Sequence, residues 1–327
     1  MNRKQAKYRT VITLAAIAMI CLSPAAVRAQ KKAGGVVMMG NDVTILVTAT
    51  PHHDGTRARA DQLQPGDFTV LEDKRKQAIL SVKRATEAPT SVAVLIQDDL
   101  VSRVDNEIAG IKDFIRRLPD GSRVMTGYLG VGDLRVTQDF TADLKRAADS
   151  LRVVVGNSSA APYNPYLGVV AALRRFDAQP RGRRLILLVS DGLDTSQGLR
   201  FGSPLSSIYL ERAISEAQRR GVTVFGFYAP TVGLTSASHV AVNYGQGSLN
   251  RLADETGGKA FFSGTDFVTF EPYFREFNEL LGHQWLITYR STNRESGFRR
   301  IEVTTDLDLP LHHPAGYRVR GEEHLRP

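Results

Sequence analysis

Two stretches of this chain share one shape. Residues 92–96 (V-A-V-L-I) form an uninterrupted apolar run that stops at Gln97-Asp98-Asp99. Residues 185–190 (L-I-L-L-V-S) form a second, which stops at Asp191-Gly192-Leu193-Asp194-Thr195. A short apolar run between polar residues reads as a strand covered on both faces, as in the middle of a parallel sheet. In open α/β sheets ligands bind outside the carboxyl ends of the strands, where the strand order reverses. Two buried strands that both end in carboxylates would set those carboxylates side by side at that edge.

The segments around these runs support an α/β reading. Residues 105–118 carry apolar side chains at Ile108, Ile111, Phe114, Ile115 and Leu118, one face of a helix, and Pro119-Asp120-Gly121 ends it. Further helices are expected over 142–153 with Thr141 as N-cap, 167–176, 208–220 closed by Gly221, 248–256 closed by Gly257-Gly258, and 267–281. Strands are expected over 123–129, 134–137, 222–228 and 259–262, and residues 230–246 read as a long Gly/Ser/Thr-rich loop. Alternating β and α units predict a doubly wound, mainly parallel six-stranded sheet with helices on both faces. The ends are different. Residues 43–50, 68–72 and 78–84, and later 285–290, 299–305 and 316–320, read as strands with no helix between them. The expected organisation is a leader (1–29), a flexible lead-in (30–40), an N-terminal β module (41–88), an α/β domain (89–282), and a C-terminal β segment (283–327) that pairs with 41–88.

The leader has the order of an export signal. Arg3, Lys4, Lys7 and Arg9 precede an apolar core at 11–22, and Val27-Arg28-Ala29 offers small residues for cleavage before Gln30. The core is short for a membrane span, and an uncleaved anchor is the other reading. The expected location is periplasmic or extracellular, with no stable membrane span after cleavage. The formal charge of the 327 residues is +8, and the five basic residues of the leader account for all but +3. With no basic stripe carrying interleaved aromatics, nucleic acid is not an expected partner. The single cysteine, Cys21, lies in the leader, so a mature chain holds no disulfide and relies on its core.

Ser190-Asp191-Gly192 is not a nucleophile elbow, and the chain has no His-Glu-x-x-His and no phosphate loop. The pair His52-His53 reads as a solvated turn, and His239, His283, His312, His313 and His324 show no ligand spacing.

In their order, several motifs resemble a von Willebrand factor A domain, most closely the related domain of acidobacterial secreted proteins. They are the junction at 96–99, F-I-R-R-L-P at 114–119, D-F-T-A-D at 139–143, L-V-S-D-G-L-D-T at 188–195, and L-A-D-E-T-G-G-K-A-F-F at 252–262. W-L-I-T-Y at 285–289, F-R-R-I-E-V at 298–303 and residues 55–73 also fit. The resemblance spans nearly the whole chain after the leader. It implies a six-stranded sheet between helices and a metal-ion-dependent adhesion site built from Asp-x-Ser-x-Ser, a loop Thr and a later Asp. Such a site gives a hard cation about six oxygens. Asp191 matches the later Asp. The first motif departs from the pattern in either register, as Asp98-x-Leu100-x-Ser102 or as Gln97-x-Asp99-x-Val101. The loop at 157–161 offers Ser158 and Ser159 instead of Thr. A degenerate site that binds Mg²⁺ or another divalent cation weakly is therefore expected, with Asp98, Asp99, Ser102, Ser158, Ser159 and Asp191 as candidate ligands. For Asp98 and Asp99, turn and cap chemistry ahead of the helix at Asp105 is the competing reading. The expected function is a non-enzymatic module that binds a protein partner through Gln97, Asp98, Asp99, Asp191 and Asp194. The alternatives are a metal-dependent hydrolase and a structural part of an envelope assembly.

Overall fold

The computed structural model describes residues 37–39, 41–50, 60–86, 88–199, 202–262, 264, 269–307 and 309–319. The leader, the His52-His53 turn and His324 lie outside them. The chain begins with strands β1 (Val37–Met39), β2 (Asp42–Ala49), β3 (Phe68–Glu72), β4 (Arg75–Lys76) and β5 (Ala78–Arg84). It continues with β6 (Thr90–Gln97), α1 (Ile108–Arg116), β7 (Arg123–Gly130), β8 (Asp133–Thr141), α2 (Leu144–Asp149), α3 (Tyr166–Arg175) and β9 (Arg183–Ser190). Next come α4 (Ile208–Arg220), β10 (Thr223–Tyr228), α5 (His239–Thr256), β11 (Ala260–Phe261) and α6 (Glu271–Gly282). The last strands are β12 (Gln284–Arg290), β13 (Gly297–Thr305), β14 (Leu311–His312) and β15 (Gly316–Val319).

The six-stranded sheet runs β8-β7-β6-β9-β10-β11, with all pairs parallel except β7–β8. Counted along the chain from β6, that order is 3-2-1-4-5-6, the doubly wound order, and it reverses between β6 and β9. The continuous apolar runs follow from burial on two faces. Val92, Val94 and Ile96 pack toward α1 and α6, where Ile111, Phe114, Phe274 and Phe277 sit. Ala93 and Leu95 pack the other way, toward Val169, Leu173, Ile214 and Leu249 of α3, α4 and α5. This is the doubly wound, mainly parallel α/β architecture that the resemblance implies.

Strands from the two ends of the chain interleave. β12 lies between β2 and β5, antiparallel to both, and β13 lies between β3 and β15. Val43, Val47, Phe68, Trp285, Ile287 and Tyr289 share the core of this β module. At its junction with the sheet, buried Arg183 donates to Gln284 Oε1 (2.7 Å), Ala85 O (3.3 Å) and Leu281 O (2.8 Å). With no acid among these acceptors, burial pushes its guanidinium down to about 10.

Several expected boundaries move. The edge strand fills 133–141, so the next helix is confined to Leu144–Asp149. Its cap is Asp143, which accepts from Arg146 N, while Thr141 ends the strand and accepts from Asp143 N. The helix expected from residue 105 opens as a 3₁₀ turn, Ser102–Glu107, before α1. The loop expected over 230–246 is cut short because α5 starts at His239, capped by Ser238 accepting from Ala241 N. No helix among the described residues is long and apolar enough to cross a membrane.

Candidate functional site

The strand ends at the reversal point carry four acids, and side-chain alternation sends them to different neighbours. Asp98 is 7% exposed and receives a two-pronged ion pair from Arg152, 2.8 Å to Oδ1 and 2.7 Å to Oδ2, plus Val155 N at 3.0 Å. The guanidinium lies 3.8 Å from the centre of the Tyr128 ring. Tyr128 Oη accepts from Arg152 N at 2.8 Å and donates to Arg152 O, and Gly156 N donates to Asp98 O at 3.0 Å. Segment 152–156 is thereby fastened over Asp98.

Gln97 and Asp99 face the other way, toward β9. Gln97 Nε2 donates to Asp99 Oδ1 at 2.9 Å, and Gln97 Oε1 accepts from Ser190 Oγ at 2.5 Å and Asp191 N at 3.3 Å. Ser190 Oγ in turn accepts from Gly192 N at 2.9 Å. Asp191 accepts from Leu193 N at 3.1 Å and from Thr235 Oγ1 at 3.2 Å. The Thr235 hydroxyl also meets Thr231 N at 2.8 Å, and Val232 N donates to Asp99 O at 3.0 Å, so segment 230–236 closes over the second strand end. Behind it, Gly192 sits at φ +68° and α5 passes so close that a Cβ at Gly245 would lie 2.0 Å from Asp191 O.

Electrostatics follow from this burial. Desolvation, then the charge of Asp99, push the Asp191 carboxyl up to about 7 from its ordinary 3.8, and burial raises Asp99 as well. Between about pH 4 and about pH 7 the folded chain holds a proton on Asp191 that the unfolded chain has released. Stability is therefore expected to fall as pH rises through that window, and Asp191→Asn is expected to flatten this part of the profile. Urea midpoints across the window test it; an unchanged slope in Asp191→Asn would contradict it.

The remaining candidates sit elsewhere. Asp194 accepts from Ser196 N (3.0 Å) and Oγ (2.6 Å) and from Ser207 Oγ (2.5 Å), and Ser207 caps α4, so Asp194 ties a turn to a helix start. Ser102, Ser158 and Ser159 lie exposed on short 3₁₀ turns, while Asp191 is 4% exposed. The five residues expected to face a partner, Gln97, Asp98, Asp99, Asp191 and Asp194, are each under 8% exposed, because segments 152–156, 193–196 and 230–236 fold over them. That expectation is corrected: their side chains build the face and do not present it. Arg152 and Thr235 complete the site without any local sequence signal.

The acids do not fit a family-type cation site. Each of the four already takes hydrogen bonds from the protein's own donors. A hard cation would have to displace those donors to gather its oxygens.

No family model matches the chain, and no curated protein matches it significantly. Solved structures similar to it include an aerotolerance-related membrane protein from Bacteroides fragilis NCTC 9343 carrying multiple mutations to serines, at 13% identity over 59% of this chain and 98% of that one, with a TM-score of 0.40. The conserved hypothetical protein BatB from Bacteroides thetaiotaomicron is similar at 15% identity, with the same 59% and 98% coverage and a TM-score of 0.37. The human COPII-coat protein Sec24c is similar at 9% identity over 70% of this chain and 44% of that one, with a TM-score of 0.42.

Proposed function

We propose that this chain is an exported, non-enzymatic binding module that docks a protein partner on the carboxyl-end face of its six-stranded sheet. One observation carries the reading. The loops at this face hold large apolar side chains out in solvent: Val153, Val155, Val232 and Leu234 on the segments that cover the acids, and Val131 (75% exposed) and Tyr163 (78% exposed) on the loops beside them. Binding residues concentrate on loops held by a rigid scaffold. Their backbones are fixed by bonds such as Val155 N to Asp98, Val232 N to Asp99 O and Thr195 N to Tyr163 O (2.8 Å). Little ordering of the loops is then needed on docking. The sequence supplies no nucleophile with a base nearby, which favours binding over chemistry. Export rests on the order of basic, apolar and small residues in the leader.

The test is capture from the native envelope fraction. A partner recovered by the unaltered protein is expected to be lost, by roughly tenfold or more, in Val155→Asp/Tyr163→Asp, since hot-spot truncations cost about 2 kcal/mol or more. Both side chains are exposed, so melting should be unchanged. Equal recovery by a double variant that melts normally would sink the proposal. Recovery is also expected to survive a chelator.

A further inference from the structure

We infer that the side-chain amide of Gln97 ties the two strand ends together at the place where the family the chain resembles has a divalent cation, so the carboxyl-end face is built without a metal ion. This bridge is a matter of the site's construction, whether or not the face docks a partner.

The amide reaches both strands at once. Its nitrogen donates to Asp99 on the β6 side, and its oxygen accepts from Ser190 Oγ and Asp191 N on the β9 side. A cation bridging two strand ends needs negative or neutral oxygens from each. Here one of those positions is filled by a group with a donor and an acceptor, and the donor points at a carboxylate. An ion taking Asp99 Oδ1 would have to displace the Gln97 N–H. Gln97 is 3% exposed, and a neutral amide fits there without the desolvation penalty of a third charge. The chain of bonds also runs onward without a gap: Gly192 N to Ser190 Oγ, Leu193 N to Asp191 Oδ1, and Thr235 Oγ1 to Asp191 Oδ2. Asp98, the other acid of the motif, faces away into the fork of Arg152, a fixed cation supplied by the protein itself. Both oxygens of Asp98 are thus taken by the protein's own donors, and the Gln97 amide holds Asp99 Oδ1.

Glutamate at this position keeps the length and replaces the donor by a third carboxylate oxygen facing Asp99. Gln97→Glu is therefore expected to convert a self-satisfied site into one that asks for a cation. Thermal melting of the full protein, with EDTA and with about 1 mM Mn²⁺, reads this out. The unaltered protein is expected to melt at the same temperature in both. Gln97→Glu is expected to melt roughly 4–8 °C lower in EDTA and to regain most of the loss with Mn²⁺. Gln97→Met, which keeps the length and removes both polar atoms, is expected to lose a similar amount and regain nothing. The Mn²⁺ rescue separates a cation-replacing amide from one that merely packs. A rise of several degrees in the unaltered protein with Mn²⁺, a Gln97→Glu variant indifferent to both conditions, or a Gln97→Met variant with unchanged melting would each overturn the inference.

Discussion

A chain ending at Leu281 is expected to lose cooperative unfolding and to collect in the insoluble fraction. The deletion removes β12, which lies between β2 and β5 and is paired along its whole length with β2. It takes Trp285, Ile287 and Tyr289 out of the β-module core, each at most 5% exposed. Large core side chains are worth about 2–5 kcal/mol apiece, so three of them approach the whole stability of an ordinary domain, about 5–15 kcal/mol. The effect should extend into the α/β sheet, because Arg183 loses its Gln284 acceptor and is left buried with fewer partners. Calorimetric melting compares the two chains; a shortened chain that is soluble and melts like the full one would show that the terminal strands are an appendage.

Glu72→Ala is expected to cost about 3–5 kcal/mol, the range for breaking one side of a buried charge network. Glu72 is 1% exposed at the end of β3 and accepts from Tyr289 Oη (2.7 Å), Tyr317 Oη (2.8 Å) and Ser291 Oγ (2.6 Å). Arg299 Nη1 lies 3.7 Å away and also donates to Ser291 Oγ and Tyr317 Oη. Burial first, then Tyr317 and Glu72, push the Tyr289 phenol up, so it stays a donor to the carboxylate. Removing Glu72 leaves Arg299 buried at 2% exposure with no carboxylate. Urea unfolding measures the loss, and Glu72→Leu/Arg299→Met is expected to recover much of it, since an apolar pair replaces a buried ion pair well. A loss below about 1 kcal/mol in Glu72→Ala would contradict this account of the network.

The central sheet was legible because its inner strands are buried on both faces, which leaves continuous apolar runs, and because helices separate them at even intervals. The reversal point was legible from Asp99 and Asp191 standing just beyond those runs. What escaped is long-range. Arg152 reaches Asp98 across 54 residues, and Glu72 meets Arg299, Tyr289 and Tyr317 across more than 200, with nothing local to announce either meeting. Helix α5 was half hidden because Gly245 and Gly247 weaken helix propensity. Gly245 is small for another reason, the close passage over Asp191 O. The two possible registers of the Asp98-Asp99 motif could not be separated by spacing. Strand alternation separates them, turning Gln97 and Asp99 toward β9 and Asp98 toward Arg152.

The central expectation is that the strand-end acids are satisfied from within. Titrating Mn²⁺ into the unaltered protein by calorimetry asks this directly. The predicted result is no binding tighter than about 1 mM, the range of loosely built sites, with the same heats from Asp191→Ala. A micromolar site that Asp191→Ala abolishes would contradict it, and would mean that a cation displaces the Gln97 amide from Asp99.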